Sequence, residues 1–462
     1  MLPVVTSGSR RRKIAISILG AVLMAAPVSA VAGDPPAPPE SFTFTAGGDM
    51  IGPYHPLVVD DPAFRPVAAL FRGADLGFSN QEGSIFDLET FAGYPAAENG
   101  GGYPQQPAAA ARAIRAMGIA LVSKANNHAT DWGADGLAAT LQSLNAAGIV
   151  EAGAGLSLDQ ARAPVYVTTR KGVTALVDVA STFPPMAVAG PAVHRRGVTS
   201  KARPGLSALH VRLVHLITAN ELAALRATVG VTAETGEVRI GDEVFRSARS
   251  RGEVWEMEPA DEAAVLASIR EARKHAAFVV FSIHAHETAG KEDSLAPADY
   301  EPMVLHKANE APSPDDPRPA DFEPVLFHAA IDAGADVVVR TGPHATGGVE
   351  IYKGRPIFYS LGSLFFDFGG RRSYTTPAGP TMTFPDAWFE TVVPVTTFRG
   401  GRLSEIRLHP MTIEAAVAER SGVPTPADSI HARRILERLR DQSAAFGTTV
   451  QIGGDVGIIR LP

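Results

Sequence analysis

One rhythm constrains this chain more than any other feature: a short apolar run, a polar tip, then a stretch of helical spacing. Phe42 and Phe44 alternate with small polar residues over 41–46, and the run ends in Gly47-Gly48-Asp49. The strand expected at 74–78 ends in Ser79-Asn80-Gln81-Glu82, and the one at 119–122 in Ser123-Lys124-Ala125-Asn126-Asn127-His128. The strand at 278–283 ends in His284-Ala285-His286-Glu287, and that at 336–340 in Thr341-Gly342-Pro343-His344. Helical spacing lies between, at 107–117, 134–147, 259–276 and 323–333. A hairpin is expected at 165–169 and 173–179, and a further strand at 356–360. Alternating strands and helices predict an α/β fold. Loops at the carboxyl ends of such strands converge on one crevice, where ligands bind. Several tips carrying Asp, Glu, Asn or His, far apart in sequence, predict a shared centre.

The first residues stand outside this rhythm. Arg10-Arg11-Arg12-Lys13 precede an apolar run at 14–26, and Val28-Ser29-Ala30 or Ala30-Val31-Ala32 offers a cleavage site. The run is too short to span a bilayer, which takes about 20 residues, so 1–32 reads as a signal peptide. An uncleaved anchor is the alternative, and the paired arginines suggest twin-arginine export. A periplasmic or secreted protein is expected, with no membrane span after cleavage. Removing four basic residues and no acids takes the formal charge from −7 to −11. That acidic balance argues against nucleic acid as a partner. There is no cysteine, so any metal site must come from His, Asp, Glu and Asn.

The organisation expected is a linker at 33–40, a main domain over 41–410, and a tail at 411–462 with a helix at 428–445 and two short strands. Two insertions interrupt the domain: 183–258, with a small helix at 220–227 and strands near 237–245, and 291–324, whose seven prolines read as a long loop or lid. Residues 83–107, with Gly100-Gly101-Gly102, form another flexible stretch.

Each tip has two readings. Asp49 can ligate a metal after a tight glycine turn or simply cap that turn. Asn80 and Glu82 offer an amide oxygen and a carboxylate, or ordinary loop hydrogen bonds. Asn126-Asn127-His128 are poor strand formers, which favours function: an amide ligand beside an imidazole able to protonate a leaving group. His284 and His286 fall on one side if the strand continues, a workable ligand pair. His344 follows Gly342-Pro343 on a rigid turn. The other histidines (His194, His210, His215, His275, His306, His328, His409, His431) read as structural, and His55 is open. The basic cluster His194-Arg195-Arg196 with Lys201 and Arg203 reads as a solvated face or as a contact for an anionic substrate.

These motifs resemble the CapA family of capsule or poly-γ-glutamate synthesis proteins, itself similar to the calcineurin-like metallophosphoesterases. The resemblance rests on Gly48-Asp49-Met50, Phe78 to Glu82, Ala125 to Ala129, Ser282 to Glu287, Gly342-Pro343-His344, and Gly348 to Gly354 leading into Tyr359 to Ser363. It implies a four-layer α/β sandwich of metallophosphoesterase type, with a site for one or two divalent ions (Mn, Zn or Fe). By that analogy Asp49 ligates one metal, Glu82 takes the bridging position, Asn127 and His284 ligate the second metal, and His344 completes the site. His128 is the implied general acid, and Asn80, His286 and Glu287 are additional candidates. The implied reaction is in-line attack at phosphorus, with the ions stabilising the charge on its oxygens. Three departures stand out. Ile51 occupies a position where the phosphoesterases carry histidine, Thr341 and Gly342 occupy the place of a second histidine, and Glu82 replaces an aspartate; Ser363 for asparagine is milder. Two functions compete: a hydrolase of an anionic envelope polymer or phosphoester, and a non-catalytic accessory protein that binds the polymer or its synthase complex.

Overall fold

The computed structural model describes residues 36–52, 61–96, 104–230, 236–241, 243–288, 319–367, 369–375, 381–414 and 421–461. The expected signal peptide, His55, Gly100 to Gly102, His306 and most of the Pro-rich stretch at 291–324 lie outside them. Strands β1 (Ser41–Ile51), β2 (Leu76–Gln81), β3 (Ile119–Ser123) and β4 (Val150–Ala152) pair in parallel. The chain then builds a second sheet from the hairpin β5 (Val165–Thr169) and β6 (Gly172–Ala180), followed by β7 (Phe278–His284) and β8 (Val337–Thr341) in parallel. The hairpin β9 (Val349–Tyr352) and β10 (Arg355–Phe358) completes it. β11 (Ser363–Phe366) returns to pair with β1. The antiparallel strands β12 (Glu390–Arg399), β13 (Arg402–Glu414), β14 (Val423–Pro426), β15 (Gln451–Gly453) and β16 (Val456–Arg460) extend the first sheet. Its order is β15-β16-β13-β12-β1-β2-β3-β4, and that of the second is β9-β10-β8-β7-β6-β5.

Period-two alternation decides which face each residue takes. On β7, Phe278 and Val280 join Phe42, Phe44, Phe78 and Leu176 between the sheets. The intervening Val279, Phe281 and Ile283 face the other way. There they meet Val265 and Ile269 of α5 (Pro259–His275) and Leu326 and Phe327 of α6 (Phe322–Ala333). On the outer face of the first sheet, Val67 and Phe71 of α1 (Arg65–Gly73), Ile114 of α2 (Ala109–Ala116) and Leu144 of α3 (Gly133–Ala146) cover Ile119 and Val122. Each large side chain removed from water in these layers contributes roughly 1.5–3 kcal/mol. The result is helices, sheet, sheet, helices: the four-layer α/β sandwich expected from the sequence.

Two further parts surround these layers. Strands Val211–Ile217, Glu237–Ile240, Glu243–Ser247 and Gly252–Met257 form a separate sheet with α4 (Ala219–Val229) against it. Its face carries a four-charge network: Arg212 and Arg246 each contact both Glu237 and Glu256. Near the chain end, α7 (Ser429–Ala444) inserts Ile435, Leu436 and Leu439 into the inter-sheet core. Among the described residues, no helix is long and apolar enough to cross a membrane.

Candidate metal centre

The alternation that sends Phe278 and Val280 between the sheets also sends His284 there, at the end of β7. His286 follows two residues on, and the Nε2 atoms of the two rings lie 3.1 Å apart. Glu82, one residue past the end of β2, joins them from the opposite sheet. One ligand atom from each of Glu82, His284 and His286 lies within 4.8 Å of the others, and all three residues are buried. Two nitrogens on one zinc ion, each bonded at about 2.0–2.1 Å, would sit roughly 3 Å apart. The donor set therefore fits a divalent ion.

Asp49 lies beside this group and is fully buried. It is placed by close backbone approach: β1 runs on through Gly47-Gly48 to Ile51, beyond the strand end expected at residue 46. A Cβ at Gly48 would fall 1.6 Å from Gly362 O, so only glycine permits that passage. Asp49 Oδ1 accepts from Asn80 Nδ2 at 2.7 Å, and Oδ2 accepts from the Gly342 amide at 3.1 Å. His284 Nδ1 and His344 Nδ1 each stand 4.0 Å from its carboxylate. Burial raises the Asp49 carboxyl to about 6, and the bonds from Asn80 and Gly342 offset part of that cost.

The second-layer contacts orient these groups. The Thr341 hydroxyl lies 3.1 Å from His284 Nδ1 and can accept its proton, which leaves Nε2 as the lone-pair nitrogen facing His286. Burial, and then the neighbouring His286 and His128, hold His284 well below the usual imidazole range; His344 is lowered for the same reasons. Neutral imidazole is the form that binds metal. Asn80 ties the tips together: its Oδ1 accepts from Ser123 Oγ at 3.0 Å and from Asn126 Nδ2 at 3.1 Å.

His128 stands on the loop after β3. Its Nδ1 is 2.7 Å from Asp131 Oδ2 and its Nε2 is 3.9 Å from Glu82 Oε1. A carboxylate on Nδ1 fixes the ring and directs Nε2 towards the centre. Asn127, next to it, is buried. His344 contacts Ser363 Oγ at 3.4 Å and packs against Trp388 and Phe366. Glu287 is engaged elsewhere: its carboxylate accepts from Ser181 Oγ at 2.7 Å. The structure thus gathers Asp49, Asn80, Glu82, His128, His284, His286 and His344, and places Glu287 against Ser181.

Physical reasons for two departures are visible. Ile51 is buried with Phe366, Phe384, Trp388 and Phe389, an apolar cluster in which a polar ring is costly unless it is hydrogen-bonded. Gly342 has φ +113°, and a Cβ there would lie 2.8 Å from Ala285 O. A histidine could not occupy that turn as built.

Four contributors escaped the sequence reading. Thr341 was read only as a missing ligand. Asp131 follows His128 at i+3, a spacing that could have suggested the pair. Asp178 sits inside the apolar run of β6, and its Oδ2 accepts from the amides of Lys124 (3.0 Å) and Ala125 (2.8 Å), joining the two sheets. Burial raises that carboxyl well above its ordinary range. Lys124 is fully buried, and burial lowers its ammonium to about 8 against the opposing pull of Asp131, Glu82 and Asp178. Several histidines read as structural do pair with carboxylates outside the centre: His210 with Asp261, His328 with Glu350, His431 with Asp428.

Fold and site together define a four-layer α/β protein with a buried, metal-capable centre at its strand ends. The model of the bacterial capsule synthesis protein family PGA_cap matches residues 15–313 and 312–368, and the chain belongs to that family. An uncharacterized protein of Sinorhizobium fredii, y4sH, is 34% identical over 462 residues, covering 91% of this chain and 94% of its own. The PGA biosynthesis protein CapA of Bacillus subtilis is 25% identical over 331 residues, covering 71% of this chain and 63% of its own. A solved hypothetical protein of Thermus thermophilus aligns with a TM-score of 0.39 at 12% identity, covering 80% of this chain and 98% of that one.

Proposed function

We propose that this protein is exported and uses the Glu82–His284–His286 centre for metal-dependent hydrolysis of an anionic cell-envelope polymer, such as poly-γ-glutamate, or of a phosphoester. The carrying observation is that buried group, with ligand atoms within 4.8 Å of one another and supplied by strand ends of both sheets. Glu82, His284 and His286 would hold the ion, with Asp49, Asn127 and His344 as further ligands. A divalent ion there would act as a Lewis acid on the substrate oxygen. The protein's own groups do the rest. Thr341 sets the tautomer of His284. Asn80 and the Gly342 amide orient Asp49. His128, steadied by Asp131, presents Nε2 to protonate the leaving group.

Family membership supports a role in capsule synthesis, and the fit of the donor set supports metal use. Purified protein loaded with manganese, zinc or iron is to be assayed on a generic phosphodiester and on poly-γ-glutamate. Cleavage that falls at least ~100-fold in His128→Ala and Asp49→Ala is the expected result. No cleavage of either substrate by metal-loaded protein would reject the hydrolase. The mass of the mature protein tests export, with cleavage after Ala30 or Ala32 expected.

Ile51, Thr341 and Gly342 favour a second reading, a non-catalytic accessory that binds the polymer or its synthase. Polymer binding that persists without metal and in Asp49→Ala plus His128→Ala would support it.

A further inference from the structure

The chain that leaves β6 at the functional end folds into a narrow two-stranded ribbon. Its rungs are Val188 with Leu206, Gly190 with Arg203, His194 with Thr199, and Arg195 with Val198. Arg196 and Gly197 make the tip, both with positive φ. Every residue from Pro191 to Lys201 is exposed. The root is buried beside the centre. Ala187 and Leu206 cluster with Ala125 and Ala129, which flank Asn126 to His128, and the Thr182 hydroxyl accepts from the His286 amide at 2.9 Å. Gly205 and Leu206 also pair with Gly155 and Ala154.

The charge on this ribbon is of one sign. No Asp or Glu occurs from Val179 to Asn220, in a chain that carries 49 of them. Arg195, Arg196, Lys201 and Arg203 are exposed, and none stands in an ion pair among the described residues. They descend from the tip to the root, where Arg203 Nε donates to Val188 O at 2.8 Å. From Arg196 to Arg203 an extended backbone covers roughly 20 Å. A two-stranded ribbon standing in water is marginal by itself, and like charges along it repel. A line of positive charge, without acids between, complements a linear polyanion better than it does a flat anionic surface.

We propose that the ribbon 188–206 is an arm that captures a linear polycarboxylate chain at the mouth of the strand-end centre. This rests on the anionic-polymer reading above and is independent of metal use and hydrolysis. The test is fluorescence anisotropy of labelled poly-γ-glutamate with the full chain, in the presence of chelator. The arm variant is Arg195→Gln plus Arg196→Asn plus Lys201→Gln, in which asparagine suits the positive φ at the tip. The control is Arg170→Gln plus Arg399→Gln plus Arg402→Gln. It removes as much exposed charge at the opposite end of the sandwich, where β1 begins beside Arg399 and β5 turns into β6. Binding that falls at least ~10-fold in the arm variant, holds in the control and weakens from about 50 to about 500 mM salt is expected. Equal loss in both variants, or none in the arm variant, would overturn the proposal and leave the anionic-polymer reading standing. No binding by the unsubstituted protein would overturn both. Arm-dependent binding to phosphatidylglycerol vesicles without arm-dependent binding to the polymer would make the ribbon a membrane contact instead. A dimer that dissociates only in the arm variant, with polymer binding unchanged, would make it a contact between copies of the chain. Arm-dependent polymer binding by a protein that cleaves nothing would uphold the arm and reject only the hydrolase.

Discussion

The Thr341 hydroxyl lies 3.1 Å from His284 Nδ1, where it can accept that nitrogen's proton and leave Nε2 for the centre; the Asn80 amide nitrogen stands 3.3 Å from the same ring atom. Partners of this kind are typically worth about 10- to 100-fold in metal affinity. Thr341→Val keeps the shape and removes the acceptor, so metal affinity measured by chelator competition is expected to fall by about that factor. Thr341→Ser should restore it; equal affinity in all three proteins would mean another group sets the tautomer. The neighbouring residue is constrained by its backbone instead. Gly342 combines φ +113° with a virtual Cβ contact of 2.8 Å to Ala285 O, and its amide holds Asp49 Oδ2. Gly342→Ala is expected to cost roughly 2–4 kcal/mol through strain and displacement of that turn. The urea midpoint checks it, and an unchanged midpoint would show that the turn relaxes freely. The same positions show where sequence reading stops. A ligand type is visible as a letter, whereas the hydroxyl that orients it and the amide that steadies its neighbour are visible only once strands 57 or 293 residues apart are brought together.

At the scale of elements, strands ending in functional tips were legible because alternation and a change of residue type coincide. β7 reads as an apolar run ending in His284, and folds as one. The long strand β12 was not read at all. Pro394 interrupts its pattern, and proline ordinarily marks an edge strand. Here β12 lies between β13 and β1, but its pairing with β1 stops at Val395, one residue short of the proline. Only that register reconciles a proline with an interior strand. Between the sheets, Phe278 meets Phe42, Phe398 and Phe44 at ring-centroid distances of 4.6, 5.0 and 5.8 Å. Phe278→Ala should therefore cost about 3–5 kcal/mol in a denaturation experiment. On β4, burial raises the Glu151 carboxyl from 4.5 to about 7, and Asn145 offsets part of this. The folded state then holds that proton more tightly than the unfolded chain. Its contribution to stability is fully present below about pH 4.5 and is lost as pH rises through about 7. Glu151→Gln is expected to raise the melting temperature at about pH 8 and leave it unchanged near pH 4; equal shifts at both would assign the effect to packing.

For the whole molecule, the decisive fact is that the metal-capable residues do not belong to one sheet. Glu82 follows β2 of the first, and His284 and His286 follow the run of β7 in the second. Asp178 on β6 reaches across in the same direction to hold the turn after β3. Below these tips the sheets are joined by apolar packing, and at the tips by polar groups whose burial is costly unless they are satisfied. An ion bound there closes the sandwich at its functional end and is absent from the unfolded chain. It must then stabilise the fold by mass action, by about 2.7 kcal/mol when free metal is ~100 times its dissociation constant. For a chain of this size that corresponds to a shift of roughly 3 °C in the melting temperature. Chelator should lower the melting temperature of the unsubstituted protein, and added manganese or zinc should restore it. In His284→Ala plus Glu82→Ala the melting temperature should be lower and insensitive to both additions. A chelator effect that survives in the double variant would place the stabilising ion elsewhere. The absence of any chelator effect in metal-loaded protein would mean the two sheets hold this end closed without it.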